Sequence, residues 1–219
     1  MRKWQRINTS QFRRHVHKCA YAALVLSGGY EEAGDLGHLH VQAGDVIIHD
    51  HFEGHLNHFA ASGAVILNLV FATDRVFQSG IGNVADPDSI VRIAENNDDE
   101  AATLLIASMQ RRERECTDWP DQLANTLIQD PSLSLSSWSE VTGIAPWALS
   151  RGFAQVFGIS PRAFRARTRT RLAWKAILRS QEPLAGIAAD LGFADQSHMS
   201  RSVKDMTGQG PQFWRHSCK

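Results

Sequence analysis

The sequence predicts an α+β protein: a small β-barrel and a few helices in the N-terminal part, then a C-terminal all-α domain with two helix-turn-helix units joined by a long helix. Short apolar runs between glycines and aspartates occupy residues 21–71. Several such runs in succession are typical of a small barrel or sandwich. After about residue 86, apolar residues recur at helical spacing, and the C-terminal part repeats itself at an offset of fifty residues.

The composition is that of a folded protein with two oppositely charged parts. The chain has 219 residues, of which 43% are apolar and 21% charged, which excludes disordered, collagen-like and coiled-coil chains. Its 23 Lys and Arg balance 23 Asp and Glu, but residues 1–130 hold 11 basic and 18 acidic residues, whereas residues 131–219 hold 12 and 5. The net charge of zero therefore combines an acidic part (−7) with a basic part (+7).

The N-terminal elements follow from the apolar pattern. Four runs bounded by turn residues predict strands: residues 21–27, 38–41, 46–49 and 64–71. Residues 90–94 and 101–109 have helical spacing, followed by a charged tail over 111–115, and Asp118-Trp119-Pro120 is typical of a helix start. The segments expected are a barrel (1–86), a helical linker and candidate dimerisation segment (87–117) and a second domain (118–219).

The cysteines and the apolar runs predict a cytoplasmic protein. Cys19, Cys116 and Cys218 are odd in number, far apart and in no CxxC pair, which favours a reducing compartment. Residues 1–17 lack the apolar core of an export signal. The longest apolar run, 63–72, is far shorter than the ~20 residues of a membrane-spanning helix, so we expect no membrane partner.

The repeat defines two similar helical units. An offset of fifty residues lays Ser150-Arg151 on Ser200-Arg201, Gly158 on Gly208 and Pro161 on Pro211. Each unit has a short helix, a glycine turn and a second helix: residues 135–141, Gly143 and 146–157, then residues 184–191, Gly192 and 196–207. Two helices joined by a tight glycine turn form a helix-turn-helix motif. The sequence therefore predicts two such motifs in tandem.

The second helix of each unit carries residue types that suit a DNA groove. Trp147, Ser150 and Arg151 share one face of the first, and Gln196, Ser197, His198 and Arg201 lie together on the second. Arginine can pair with guanine and glutamine with adenine. Two alternatives stay open: either arginine could support the fold through a carboxylate, and Trp147 could be a core residue.

A basic helix is expected between the two units. Residues 162–180 contain no glycine or proline and hold seven basic residues without one acidic residue. A helix of this length spans ~28 Å, close to the ~34 Å between successive major-groove faces on one side of DNA. Some of these charges should face phosphates and the others water.

Four stretches of residues 118–219 carry a family resemblance. They are Gly143-Ile-Ala-Pro-Trp-Ala-Leu-Ser-Arg-Gly-Phe, Phe157-Gly-Ile-Ser-Pro, Ile187-Ala-Ala-Asp-Leu-Gly-Phe-Ala-Asp-Gln-Ser-His-Met-Ser-Arg and Gly210-Pro-Gln-Phe-Trp-Arg. They resemble the AraC-type DNA-binding domain of bacterial transcription regulators, whose base-contacting positions correspond to the seven residues named above. Ala145 departs from the family's usual serine, which removes a helix N-cap, and Ser202-Val203 replaces a bulkier aromatic pattern.

The N-terminal part is similar to cupins, small β-barrels that hold an effector, although a metal-binding cupin has a glutamate where Tyr21 stands. Eight of the ten histidines lie within residues 15–58. The candidate effector or metal ligands are His15, His17, His49, His51 and His55. A divalent metal, an organic effector and a purely structural role all stay open. Glu31, Glu32, Asp35 and Asp45 are expected to be solvated loop carboxylates.

Together these patterns predict a sequence-specific DNA-binding transcription regulator, not an enzyme, controlled by a small-molecule effector in the N-terminal barrel. The expected partners are double-stranded promoter DNA, the effector and a second copy in a homodimer, with RNA polymerase as a further candidate. The alternative is a metal-dependent cupin enzyme fused to a DNA-binding domain.

Overall fold

The fold comes from a computed structural model that describes residues 3–8, 10–71, 77–113 and 118–217. The chain divides into two compact units, unit 1 (Met1–Cys116) and unit 2 (Thr117–Lys219). At this division unit 1 holds 11 basic and 15 acidic residues, and unit 2 holds 12 and 8. The predicted asymmetry of seven charges thus falls to four, because Asp118, Asp121 and Asp130 belong to the basic unit.

One antiparallel sheet builds the described part of unit 1. Its strands are β1 (Trp4–Ile7), β2 (Gln11–Val16), β3 (Tyr21–Gly34), β4 (Gly37–Gln42), β5 (Asp45–His49), β6 (Gly54–Val70), β7 (Gly80–Asn83) and β8 (Gln110–Arg112). The strand order is β1-β6-β3-β5-β7-β8, with β2 also paired to β6 and β4 also paired to β3.

Because successive side chains of a strand point to opposite faces, the strands contribute residues to two cores on opposite faces of the sheet. Along β3, Ala22 and Leu24 enter one core, and Tyr21, Ala23 and Val25 enter the other. The second core also contains residues of β4, β5 and β6. An antiparallel β domain at the N-terminus is confirmed, whereas its closure into a cupin-like barrel stays a prediction.

Two helices cover the first core. They are α1 (Pro87–Ala94), capped by Asp86, and α2 (Asp98–Ser108), capped by Asn97. Ile90 and Leu105 are buried against strand residues such as Leu67. The helices of the segment predicted as a linker, 87–117, therefore pack as part of unit 1.

The predicted strands of unit 1 are too short. The pair Gly28-Gly29, expected to be a turn, lies inside β3, and β6 begins ten residues before the predicted run. Sequence patterns missed β1, β2, β7 and β8, and β8 includes the first two residues of the charged tail over 111–115. These strands are short or exposed, so they lack the apolar runs that identify buried strands. Ala72 and residues 114–117 lie outside the described residues.

Seven helices form the described part of unit 2. They are α3 (Trp119–Gln129), α4 (Leu135–Thr142), α5 (Pro146–Phe157), α6 (Pro161–Arg179), α7 (Leu184–Asp190), α8 (Gln196–Thr207) and α9 (Pro211–Ser217). The long helix α6 packs against α3 and α5 of the first half of the unit and against α7, α8 and α9 of the second. It thereby joins the two helix-turn-helix units, as predicted.

The described residues include no helix that is long and apolar enough to cross a membrane. Cys19 is exposed with a free thiol. The other two cysteines, Cys116 and Cys218, lie outside the described residues.

Candidate nucleic-acid interface and histidine cluster

The first helix-turn-helix consists of α4 and α5. Gly143 ends α4 in the left-handed conformation at φ 70°, which glycine adopts without steric cost. Ala145 precedes α5 and makes no side-chain cap hydrogen bond. Pro146 at the first turn suits the helix start, because its missing N–H would have no helical partner there.

The two faces of α5 divide as the sequence predicts. Leu149, Phe153 and Phe157 are buried, and the rings of Phe153 and Phe157 stack with centroids 4.5 Å apart. On the opposite face Ser150 and Arg151 are exposed, and the Trp147 side chain is 72% exposed. Trp147 is therefore not a core residue.

The second helix-turn-helix consists of α7 and α8. Asp195 caps α8, because its Oδ1 accepts a hydrogen bond of 2.6 Å from the backbone N–H of His198. Met199 and Val203 are buried. The outer face is exposed and carries the four residues predicted to contact bases: Gln196, Ser197, His198 and Arg201.

Neither Arg151 nor Arg201 supports the fold through a contact with the described part of the chain. Arg151 and Arg201 are both exposed, and neither forms an ion pair or hydrogen bond with a described residue. The alternative in which one of them supports a carboxylate is thus without a described partner. We call Trp147, Ser150 and Arg151 the first recognition face, and Gln196, Ser197, His198 and Arg201 the second.

Part of the basic run on α6 holds unit 2 together. Arg165 donates to the carbonyl oxygen of Leu133 at 3.0 Å, and Arg169 donates to those of Gly192 at 2.7 Å and Pro131 at 3.2 Å. Arg171 is buried. The expectation that this run divides between phosphates and water is therefore wrong for these three arginines, because packing turns them toward the domain.

A second candidate site lies in unit 1, where strand pairing brings distant histidines together. His15 on β2 pairs with His55 on β6, and Tyr21 on β3 pairs with His49 on β5. The Nε2 atoms of His15 and His55 are 3.1 Å apart. The ring centroid of His17 lies 4.8 Å from that of His15 and 5.3 Å from that of His55.

Glu32 completes this group, which we call the histidine cluster (His15, His17, Glu32, His49 and His55). Its Oε2 lies 2.7 Å from Nδ1 of His55 and accepts a hydrogen bond of 3.0 Å from the side-chain amide of Asn57. Its Oε1 lies 3.4 Å from Nε2 of His49. The cluster thus places one carboxylate beside two imidazoles inside the unit.

The expectation of solvated loop carboxylates is wrong for three of the four acidic residues. Glu32 is 1% exposed, Asp35 6% and Asp45 3%. Register shifts between Val25 and Ser27 and between Gly28 and Tyr30 interrupt the alternation of β3, and Glu32 is buried within this strand. Asp35 pairs with Arg14, and Asp45 pairs with Arg112 at 3.0 Å. Only Glu31 is exposed, beside His38 and His40.

The protonation of the cluster follows from burial and from its own charges. Burial, with His55 and His15 nearby, lowers the pKa of His17 to about 3. Burial also lowers the pKa of His55, against the opposing effect of Glu32. For Glu32 burial alone would raise the pKa, but His55 and His49 lower it to about 2. At neutral pH the cluster therefore combines a carboxylate with a neutral His17 imidazole.

His51, predicted as a further ligand, lies outside the histidine cluster. Strand β5 ends at His49, so the alternation that would aim both rings to one side stops there. The Nδ1 of His51 instead lies 3.1 Å from Oδ1 of Asp50, which also accepts from the backbone N–H of His51. Of the candidate ligands, His15, His17, His49 and His55 come together.

Two cavities of different size open in unit 1. The histidine cluster borders a cavity of about 70 Å³ that Tyr21 and Tyr30 also line. A larger cavity of about 610 Å³ adjoins it, because Tyr30 and Phe59 line both. Its lining mixes aromatic, polar and charged groups: Gly29, Tyr30, Glu31, His40, Val41, Gln42, His58, Phe59, Ala60 and Arg112.

Two solved structures are among those similar to this chain. One is the C-terminal domain of AraT, a response regulator from Geobacillus stearothermophilus, with 23% identity, a TM-score of 0.43, and coverage of 48% of this chain and 88% of that chain. The other is ToxT from Vibrio cholerae, with 10% identity, a TM-score of 0.43 and coverage of 98% of both chains.

Sequence comparison identifies the C-terminal domain. The chain is 31% identical over 116 residues to the arabinose operon regulatory protein of Escherichia coli (strain K12), which covers 52% of this chain and 38% of that protein. The chain thus spans well under half the length of this curated relative. Residues 138–217 match the family model of a helix-turn-helix domain. Residues 138–217 therefore form a helix-turn-helix domain.

Proposed function

We propose that this chain is a transcription regulator whose unit 2 binds double-stranded promoter DNA and whose unit 1 binds a small-molecule effector. The observation that carries the proposal is the repeated geometry of α5 and α8. Each helix buries one face in the domain and leaves the other exposed with side chains that hydrogen-bond or stack. In a helix-turn-helix unit, the second helix enters the major groove, and its first residues contact base edges.

The two recognition faces make different contributions. Arg151 and Arg201 supply guanidinium groups that pair with guanine, and Gln196 supplies an amide that pairs with adenine. Trp147 packs on a sugar or a thymine methyl group. On α6 the exposed Arg162 and Arg179 contact phosphates and position the domain without selecting sequence.

Selection of binding sites from random duplexes tests this function. The full-length chain should enrich one sequence with two half-sites about 10 base pairs apart, because each recognition helix enters one of two successive major grooves. Footprinting on the genomic DNA of its own source should place the same sequence near promoters. Enrichment of no sequence over the starting pool contradicts the proposal.

The larger cavity suits the effector better than the histidine cluster does. A volume of about 610 Å³ fits a small organic molecule, whereas about 70 Å³ does not. In the larger cavity Arg112 is held by Asp45 at 3.0 Å and by the carbonyl oxygen of His40 at 3.0 Å, so its guanidinium is fixed for a polar ligand. We therefore assign the effector to this cavity.

A variant that fills the larger cavity tests the effector site. A panel of sugars, carboxylic acids and aromatic amines is screened by thermal shift against the full-length chain. The variant Ala60→Trp should lose the shift that the best ligand gives, because the indole occupies the cavity, and His17→Ala should keep it. A shift retained by Ala60→Trp places the effector elsewhere.

The effector must favour one state of the regulator to change DNA binding.

We propose no enzymatic activity, since Glu32 is engaged by His55 and Asn57 and its cavity has no room for an organic substrate. We further propose that the chain acts in the cytoplasm and forms a homodimer through residues 87–117. RNA polymerase is a further proposed partner. Sedimentation equilibrium tests the dimer, and a monomer at all concentrations contradicts it.

A further inference from the structure

We propose that unit 1 carries a divalent-cation site in which His15, His17 and His55 are the ligands and Glu32 positions His55. The site is separate from the regulator function argued above and rests on the geometry of the cluster. One ligand atom from each of the three imidazoles lies within 4.8 Å of the other two. Within the described residues a second such group is Glu32, His49 and His55.

The separation of two nitrogens supports a shared ion. The Nε2 atoms of His15 and His55 are 3.1 Å apart. Two imidazole nitrogens that each lie ~2.05 Å from one Zn²⁺ are separated by roughly 2.9–3.4 Å in octahedral or tetrahedral geometry. Both rings come from paired strands, and His17 follows on the same side, so the backbone already holds the three ligands together.

Glu32 acts through His55 and not as a ligand itself. Its Oε2 lies 2.7 Å from Nδ1 of His55, which is ion-pair distance. A proton on Nδ1 leaves the lone pair on Nε2, the atom that faces His15. Metal-bound histidines commonly donate their other N–H to a carboxylate in this way, which fixes the tautomer and raises the basicity of the ligand.

The surroundings fit a cation with room for water. The cavity beside the cluster measures about 70 Å³, enough for an ion and one or two waters. The hydroxyl of Tyr21 lies 3.5 Å from Nε2 of His55. Imidazole ligands without thiolates suit first-row divalent metals such as Zn²⁺ and Co²⁺.

Metal titration of the untagged full-length chain tests the site. After treatment with a chelator, Zn²⁺ is titrated in competition with a chromophoric chelator, and Co²⁺ is added separately to record its visible absorption. We expect one Zn²⁺ per chain and the absorption bands of nitrogen-bound Co²⁺. The variants His15→Ala and His17→Ala should each lower the affinity by more than ~100-fold.

Two further variants separate positioning from ligation. Glu32→Gln should lower the Zn²⁺ affinity by about 10–100-fold at unchanged stoichiometry. The matched controls are His58→Ala, on the same strand as His55, and the His38→Ala/His40→Ala double variant, which removes a His-x-His pair outside the cluster. Both should bind Zn²⁺ like the parent chain.

Three results would overturn the site. They are substoichiometric Zn²⁺ in the parent chain, unchanged affinity in His15→Ala, or an equal loss in the His38→Ala/His40→Ala control. Far-UV circular dichroism checks the fold of each variant. If His15→Ala and His17→Ala are unfolded, the Co²⁺ spectrum of the parent chain decides, and its absence overturns the proposal.

Discussion

Gly152 is the residue at which helix packing in unit 2 leaves no room for a side chain. A Cβ built there would lie 2.5 Å from Cζ2 of Trp119, whose ring also packs beside Trp138. We expect Gly152→Ala to lower the free energy of unfolding by about 1–3 kcal/mol, because the indole must move. Urea denaturation measures this loss, and Gly210→Ala is the control, since a Cβ at Gly210 meets nothing within 4 Å. Equal stability of the Gly152→Ala variant and the parent chain would contradict the packing.

Single residues also show what the sequence could predict and what it could not. The seven recognition residues are surface residues on two regular helices, so their spacing indicated the exposed faces, and the structure decided between exposure and burial for Trp147. Glu32 could not be found in this way, because two register shifts interrupt the pairing of β3 with β6 before it, and strict alternation from Tyr21 does not predict where its side chain lies. Because Tyr21 stands where a metal-binding cupin has a glutamate, the sequence predicted a cluster without a carboxylate. The carboxylate of the cluster is that of Glu32, eleven residues further along β3.

The two recognition helices differ at their first turn. Asp195 caps α8, whereas Ala145 leaves the start of α5 without a side-chain cap. We expect Ala145→Ser to raise the free energy of unfolding by about 1 kcal/mol and Asp195→Ala to lower it by a similar amount. Thermal unfolding followed by circular dichroism measures both changes. Destabilisation by Ala145→Ser would show that the backbone at this position does not accept a cap.

Helix α6 contains both structural and exposed arginines. Arg169 donates to two backbone carbonyls and lies 5.6 Å from the ring centre of Phe193, whereas Arg162 is exposed. We expect Arg169→Ala to cost about 1–3 kcal/mol in stability, because it leaves these carbonyls without a donor. Arg162→Ala removes the same charge and should leave stability unchanged. Equal urea midpoints for the two variants would contradict the structural role of Arg169.

Elements with internal sequence signals were predicted closely. The bounds of α5 and α8 were predicted without error, because a proline or a cap starts each helix and a left-handed glycine, Gly158 or Gly208, ends it. The strands of unit 1 were predicted less well. Their partners lie far away in sequence, so pairing and bulges decide where β3 and β6 begin and end.

For the whole molecule, net charge says less about DNA binding than the placement of single charges. The chain is neutral overall, and unit 2 has a surplus of four positive charges. Several arginines of α6 are turned into the domain, so the surplus overstates the charge that can meet DNA. The proposed function therefore depends on the recognition faces more than on the basic helix.

The most direct test of the central claim compares affinities for two duplexes at one salt concentration. Fluorescence anisotropy measures the dissociation constants of the parent chain, Trp147→Ala and Arg201→Ala for the selected operator and for a random duplex. We predict that each variant loses about 5–150-fold on the operator, since a base contact contributes 1–3 kcal/mol, and far less on random DNA. Arg179→Ala, which removes the same charge from α6, should weaken both complexes equally. Equal losses on both duplexes for Arg201→Ala would contradict the claim that α5 and α8 select the sequence.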